Sequence, residues 1–206
     1  MKKIKVLIAD DHAIVRVGLA TLLRSQRDIE VVGQAKNGDE AVKQTLKLLP
    51  DVVIMDLMMP KKDGTEATAE IHAQLPDVKI LVLTTFGTSD GIVRALDSGA
   101  SGALMKNAEN SELVSSIRKV ADGERVISEE IQGLIKSDPP LPELSPRQLE
   151  ILRSMTMGLT SKEIADRLGL RKDSVDKHVN ALLGKTGASS RTEAVAIAMR
   201  KHLLKF

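Results

Sequence analysis

Five short apolar runs recur through the first 122 residues, each followed by a stretch with helical spacing. This alternation restricts the fold more than any other feature of the chain. The runs are Ile4–Ala9, Ile29–Gly33, Val52–Met55, Ile80–Leu83 and Ala103–Met105. Ala13–Gln26 is the first helical stretch, with Ile14, Val17, Leu22 and Leu23 as its apolar positions. Ala41, Leu46 and Leu49 mark the second, with Asn37 or Asp39 as its cap. Thr65–Gln74, Asp90–Ser98 and Ser111–Asp122 are the others. Strict alternation of strand and helix predicts a parallel sheet with helices on both faces. Runs that are apolar throughout, rather than at every second residue, agree with burial on both sides. The expected class is therefore α/β, a doubly wound five-stranded parallel sheet.

The rest of the chain differs in charge. Residues 1–125 carry 17 basic and 18 acidic side chains, residues 126–143 carry 1 and 4, and residues 144–206 carry 12 and 6. A near-neutral module is thus joined to a basic one. Pro139, Pro140 and Pro142 lie at the joint, where three prolines in four residues cannot continue a helix and favour extended chain. The boundaries read as a first domain over 1–123, a linker over 124–143 and a second domain over 144–206.

Several classes of function are excluded. With no Cys there is no disulfide scaffold, thiol nucleophile or zinc-thiolate site, which fits a reducing, cytoplasmic setting. With no Trp or Tyr and only 2 Phe, base stacking on single-stranded nucleic acid has almost nothing to work with. Val6–Ala9 is too short for a signal core, since Asp10 and Asp11 end it, and no run approaches a membrane span. No membrane partner is expected.

In a parallel α/β sheet, chemistry gathers beyond the carboxyl ends of the strands. Asp10 and Asp11 follow the first run, Asp56 follows the third, Thr84 ends the fourth and Lys106 follows the fifth. Three carboxylates on one rim repel each other and call for a cation. Hard oxygen ligands point to Mg²⁺ rather than zinc. A carboxylate beside such a cation can attack a phosphoryl group, while an ammonium and a hydroxyl meet the phosphoryl oxygens. Other phosphate motifs fail. Gly33–Gly38 has P-loop glycine spacing but is followed by Asp39-Glu40, and no G-x-G-x-x-G follows the first run. His12, His72, His178 and His202 are scattered without metal spacing and read as surface or helix residues.

Residues 1–122 resemble the receiver domain of two-component response regulators, a flavodoxin-like fold. The resemblance is carried by Ile8-Ala9-Asp10-Asp11-His12, by Met55-Asp56-Leu57-Met58-Met59-Pro60 with Gly64, by Leu83-Thr84-Thr85, and by Gly99-Ala100-Ser101-Gly102 leading to Lys106. It implies that Asp56 accepts a phosphoryl group from a sensor histidine kinase. It also implies that Asp10, Asp11, Asp56 and the backbone carbonyl of Met58 organise Mg²⁺, that Thr84 and Lys106 bind phosphoryl oxygens, and that Gly64 lets the loop turn tightly. Met58 and Phe86 would flank the path of a hydrolytic water, and both are bulky and apolar. Receivers commonly carry Tyr or Phe three residues before the lysine. Ala103 stands there, so the usual aromatic rotamer switch cannot operate.

The last 63 residues read as a small all-α domain. Ser145-Pro146-Arg147-Gln148 and Thr160-Ser161-Lys162-Glu163 are capping boxes, Gly158 and Gly169 end the helices they start, and a third helix spans roughly Asp173–Lys185. Gly187 ends that helix, and Ser189 or Ser190 starts a fourth through Lys201. Two short helices joined by a tight turn make a helix-turn-helix. Asp173, Asp176, Lys177, Asn180 and Gly184 lie opposite the apolar stripe Val175, Val179, Leu182 and Leu183, on the face that would enter the major groove of double-stranded DNA. Lys177 suits guanine and Asn180 adenine, while Arg147, Arg171, Lys172, Lys185 and Arg191 suit phosphates.

This segment resembles the LuxR-type DNA-binding domain through residues 144–150, Gly158–Ala165, Ser174-Val175, His178-Val179 and Ser189–Ala194. The whole chain resembles a NarL/FixJ-type transcriptional regulator. That family usually has a basic residue where Asp176 stands and a Ser cap where Arg171 stands. The resemblance implies a homodimer on an operator of paired half-sites. The fourth helix, around Ala194, Ala198 and Met199, is expected to supply part of the contact, because small residues permit close approach. A DNA-binding regulator independent of phosphorylation and an Mg²⁺-dependent aspartyl-phosphate phosphohydrolase are the alternatives. The second lacks a substrate-capping domain.

Overall fold

The computed structural model describes residues 3–85, 89–201 and 203–204. The chain forms two compact units that divide between Pro139 and Pro140.

The first unit alternates as the apolar runs require. Its elements are β1 (Ile4–Ala9), α1 (Ala13–Arg24), β2 (Ile29–Ala35), α2 (Gly38–Leu48), β3 (Val52–Met55), α3 (Gly64–Gln74), β4 (Lys79–Thr84), α4 (Ser89–Asp97), β5 (Gly102–Met105) and α5 (Asn110–Ala121). With β6 (Val126–Ile127), all strand pairs among the described residues are parallel, in the order β2-β1-β3-β4-β5-β6. Alternate strand residues feed two cores. Leu7, Ala9, Val53, Met55, Ile80 and Val82 pack with α2, α3 and α4, through residues such as Ala41, Ala67, Ile71 and Ile92. Val6, Ile8, Ile54, Leu81, Leu83 and Leu104 pack with α1 and α5, through Ala20, Leu23, Leu113 and Ile117. Coverage on both faces explains why Val6–Ala9, Val52–Met55, Ile80–Leu83 and Ala103–Met105 are apolar throughout, whereas the edge strand β2 carries the exposed Glu30.

Two expectations are revised. First, among the described residues the sheet has six strands, because β6 (Val126–Ile127) pairs with Gly102 and Ala103 of β5. It is followed by α6 (Glu129–Ser137), whose cap Ser128 accepts from the Ile131 N–H. Ile131 is fully buried in the same core as Ala103, Ile92 and Ala95, with Leu134 and Ile135 packed beside it. Most of the segment read as linker, 124–143, is thus folded onto the first unit, and residues 139–145 carry no regular structure. A two-residue strand leaves no periodic signal, so composition alone exposed only the prolines. Secondly, Ile14 (88% exposed) and Val17 of α1, Leu46 of α2 and Leu49 just after α2 face solvent. The packed faces are Ala20 and Leu23 on α1, and Ala41, Val42 and Thr45 on α2.

The second unit contains α7 (Pro146–Thr156), α8 (Ser161–Leu168), α9 (Lys172–Thr186) and α10 (Arg191–Arg200). Both capping boxes form, Ser145 with Gln148 and Thr160 with Glu163. Gly169 and Gly187 close α8 and α9 in the left-handed region. Ile151, Leu152, Ile164, Val175, Leu182, Ala194 and Ala198 share one core. Ala194 and Ala198 are therefore spent inside the unit rather than presented to a partner, whereas Met199 is exposed. Their small size serves close helix packing within the unit.

Candidate functional site

Three hydrogen bonds extend the parallel ladder one residue past the strand ends and fix the rim. Asp10 N–H donates to Ala35 O at 3.1 Å, Asp56 N–H to Ala9 O at 2.8 Å, and Lys106 N–H to Thr84 O at 2.8 Å. Asp10, Asp56 and Thr84 are all nearly fully buried. The rim lies where the strand order reverses around β1 and β3, the expected place for a site in an open α/β sheet.

The side chains converge. Lys106 Nζ lies 2.6 Å from Asp10 Oδ2 and 2.8 Å from Asp56 Oδ2. Burial raises the Asp56 carboxyl above the ordinary carboxylate range; the Lys106 ammonium opposes this and the Asp10 charge adds to it. Burial works to lower the Lys106 pKa, yet hydrogen bonds to Asp10 and Asp56 outweigh it and hold the ammonium above the usual lysine value. Met58 N–H approaches Asp56 Oδ1 at 3.4 Å, while its side chain is exposed. Gly64 turns the loop by close approach rather than by positive φ. A Cβ there would stand 2.0 Å from Asp56 O. Lys62 pins the same loop through Asp39 at 3.2 Å and through Glu70, and its carbonyl accepts from Gly38 N–H.

His12 and Arg16 belong to the site, although His12 reads in sequence as a surface or helix residue and no motif reaches Arg16. His12 Nδ1 lies 2.7 Å from Asp11 Oδ1, and His12 N–H donates to Asp10 Oδ1 at 2.8 Å. Arg16 Nη1 donates to the carbonyls of both Asp10 and Asp11, at 2.7 and 3.1 Å. Their signal was adjacency: His12 caps α1 and Arg16 lies one turn further on.

Oxygen or nitrogen atoms of Asp10, Asp11, His12 and Asp56 lie within 4.8 Å of one another, a donor set that could hold a metal ion. Among the described residues, the buried Thr84 Oγ1 has no hydrogen-bond partner, and Asp11 Oδ1 has only the His12 ring nitrogen beside it, out of hydrogen-bond alignment. Buried polar atoms of this kind are rare without a ligand or ion to satisfy them. The three carboxylates fit a hard divalent cation and the free hydroxyl fits a phosphoryl oxygen. Ala103 is fully buried beneath α6, so the position carries no side chain able to swing outward.

In the second unit the expected groove face of α9 is exposed at Asp173, Lys177, Asn180 and Gly184, while Ser174 and Asp176 are half-buried. Several basic residues are engaged inside the unit. Lys172 pairs with Asp176 at 2.8 Å, Arg171 lies 3.8 Å from Asp173, and Arg147 pairs with Glu150 at 2.8 Å. Lys185 donates to Glu143 O and to Gln148 Oε1. Arg191 donates to Ser161 Oγ and to Leu159 O. Arg171, where a Ser cap was expected, makes no side-chain cap bond to α9.

The pattern of the response regulator receiver domain matches residues 6–118, and that of the luxR family of bacterial regulatory proteins matches residues 142–198. The chain belongs to the response regulators, with a receiver domain followed by a LuxR-type DNA-binding domain. This is a family of transcriptional regulators rather than of classical enzymes. Among its relatives, it is 39% identical over 209 residues to the transcriptional regulatory protein LiaR of Bacillus subtilis, covering 98% of this chain and 99% of that protein. It is 37% identical over 207 residues to the response regulator protein VraR of Staphylococcus epidermidis, again over 98% and 99%. Among solved structures, the response regulator ChrA of a heme-sensing two-component system shares 32% identity at a TM-score of 0.60, covering 99% of this chain and 100% of that one. RcsB in complex with DNA shares 25% identity at a TM-score of 0.68, covering 97% and 99%.

Proposed function

We propose that Asp56 accepts a phosphoryl group from a sensor histidine kinase and that this modification controls pairing of the chain and its binding to paired half-sites on DNA. The observation that carries the reading is the rim itself: one ammonium bridges Asp10 and Asp56 while a buried Thr84 hydroxyl has no partner among the described residues. In the transfer, Asp56 Oδ attacks phosphorus, an O–P bond forms, and the N–P bond to the donor imidazole breaks with its electron pair leaving on nitrogen. Lys106 holds one phosphoryl oxygen and Thr84 donates to another. Asp10, Asp11, Asp56 and the Met58 carbonyl would hold Mg²⁺, which when bound offsets the negative charge of carboxylates and phosphoryl group. Arg16 keeps the Asp10-Asp11 backbone in place.

The phosphoryl group is expected to be long-lived. Met58 is exposed at the rim and offers neither amide nor carboxylate to hold a water in line. Phe86, the other residue on that path, lies outside the described residues. Lys177 and Asn180 would read bases on the exposed face of α9, with Ser174 and the half-buried Asp176 beside them. Arg147, Arg171, Lys172, Lys185 and Arg191 would then serve phosphates only where their internal partners release them. Among the described residues no helix is long and apolar enough to cross a membrane. A cytoplasmic regulator is in keeping with this.

The test is incubation with acetyl phosphate and Mg²⁺. The native chain should gain one acid-labile phosphoryl group and shift toward dimer in sedimentation, and Asp56→Asn should do neither. Phosphate on another residue, or DNA binding identical before and after modification, would overturn the reading.

A further inference from the structure

The basic unit neutralises itself on the one helix where charge would matter most. Residues 144–206 hold 12 basic and 6 acidic side chains. Yet the first two turns of α9 carry Lys172, Asp173, Asp176 and Lys177, which cancel. Asp176 is the centre of this cancellation. Its Oδ2 accepts from Lys172 Nζ at 2.8 Å, and this lysine, with the Ser161 hydroxyl at the first residue of α8, holds the carboxyl below its ordinary range. The Arg191 guanidinium at the start of α10 bears on the same carboxylate through its charge. Arg191 is itself held, by Ser161 Oγ at 2.9 Å and Leu159 O at 3.0 Å. The starts of three helices thus meet at one acid. Lys177, by contrast, has no acidic partner within 4 Å among the described residues.

Sequence-independent affinity for DNA comes from cations that neutralise phosphates and release counterions, whereas base contacts carry the sequence information. A lysine held by an acid one turn away is removed from the first account and leaves the second untouched.

We propose that Asp176 is a positioning residue that withholds Lys172 from the DNA backbone, so that one chain alone binds DNA weakly and stable binding requires two. This rests on α9 being the groove helix, as argued under the proposed function. It deepens that reading by giving the chain a built-in limit on non-specific attachment. Two weak units on paired half-sites bind tightly together, because the second attachment becomes intramolecular. A unit that bound any duplex tightly alone would lose that dependence on pairing.

The test uses the full chain, a random-sequence duplex and a range of salt concentrations. Asp176→Asn should bind about eightfold more tightly at 0.1 M salt and steepen the slope of log K against log salt by about 0.9, one counterion's worth. Lys172→Gln alone should leave the slope unchanged, because that lysine is already withheld, while the carboxylate it leaves unpaired lowers affinity. Lys172→Gln added to Asp176→Asn should remove most of the gain. Thermal melting followed by circular dichroism separates charge from folding, since a purely structural role would lower the melting temperature without steepening the slope.

An unchanged slope in a folded Asp176→Asn chain would overturn the proposal. So would a fall of about 0.9 in the slope for Lys172→Gln alone, a result that stands even if the Asp176 variant does not fold. Loss of preference at a single base pair with no change of slope would also overturn it, in favour of direct base reading by Asp176. Failure of the native chain to bind any duplex, modified or not, would overturn the proposed DNA-binding mode itself and this inference with it.

Discussion

One ammonium serves two buried carboxylates on the receiver rim, with a third carboxylate adjacent. Functional clusters of this kind are held at some cost in stability. Since burial disfavours the ionised form of Asp56, Asp56→Asn should melt a few degrees higher than the native chain in Mg²⁺-free buffer. A change of 1 kcal/mol corresponds to roughly 2–4 °C for a chain of this length. Added Mg²⁺ should raise the melting temperature of the native chain and narrow the gap, because a ligand stabilises only the state that binds it. Gly64 is sensitive in the opposite sense. The Cβ of Gly64→Ala would overlap the Asp56 carbonyl, and backbone cannot move aside cheaply. Destabilisation of about 1–3 kcal/mol, with loss of phosphorylation by acetyl phosphate, is expected. Denaturant unfolding and a phosphorylation assay check the two halves of that statement.

At the scale of elements, α6 is the least expected part of the first unit. Ile131, Leu134 and Ile135 recur at helical spacing and cover the β5 and α4 surface. Ile131→Ala should therefore cost about 2–5 kcal/mol in unfolding of the receiver unit, as a buried residue does and a linker residue does not. Urea titration of the full chain, resolving the transition of the first unit, measures it. A second tie joins α5 to the turn before β2. Arg118 donates to both oxygens of Asp28 at 2.7 and 2.9 Å, and this holds the Asp28 carboxyl below its ordinary range. A depressed acid stabilises the fold above its unfolded pKa, and that stability is lost as pH falls through the lower folded value. The native chain should thus exceed Asp28→Asn in stability at neutral pH, by about 1 kcal/mol or less because the pair is partly exposed. The difference should vanish in acid. Melting curves from pH 7 downward test the sign.

For the whole molecule, the division between Pro139 and Pro140 separates two units that each own a core. A fragment of residues 140–206 should fold alone, and should bind a random duplex at least as well per site as the unphosphorylated full chain. Fluorescence anisotropy on labelled duplex compares them; weaker binding by a folded fragment would mean that the receiver contributes to DNA binding. Of Ala194, Ala198 and Met199 on α10, the exposed Met199 is the one left to test in pairing. Met199→Glu should weaken the dimer of the phosphorylated chain in sedimentation without changing the melting of the second unit.

Much of this was legible along the chain. Uninterrupted apolar runs can satisfy both faces of a strand only inside a parallel sheet, and such a sheet places Asp10, Asp56, Thr84 and Lys106 on one rim whatever the details of packing. Capping boxes at Ser145 and Thr160 and left-handed glycines at 169 and 187 are local codes, so the helices of the second unit could be bounded from sequence. Tertiary structure decided the rest, because it depends on what each side chain meets across space. Helical spacing marked Ile14 and Leu46 as apolar but could not say that no element covers them. Three prolines announced a joint but not that Val126–Ile127 would find the open edge of β5. The basic count of the second unit suggested a DNA surface. Only the fold brought Lys172, Ser161 and Arg191 to the carboxylate of Asp176, because charge is summed along a sequence while ion pairs form between neighbours in space.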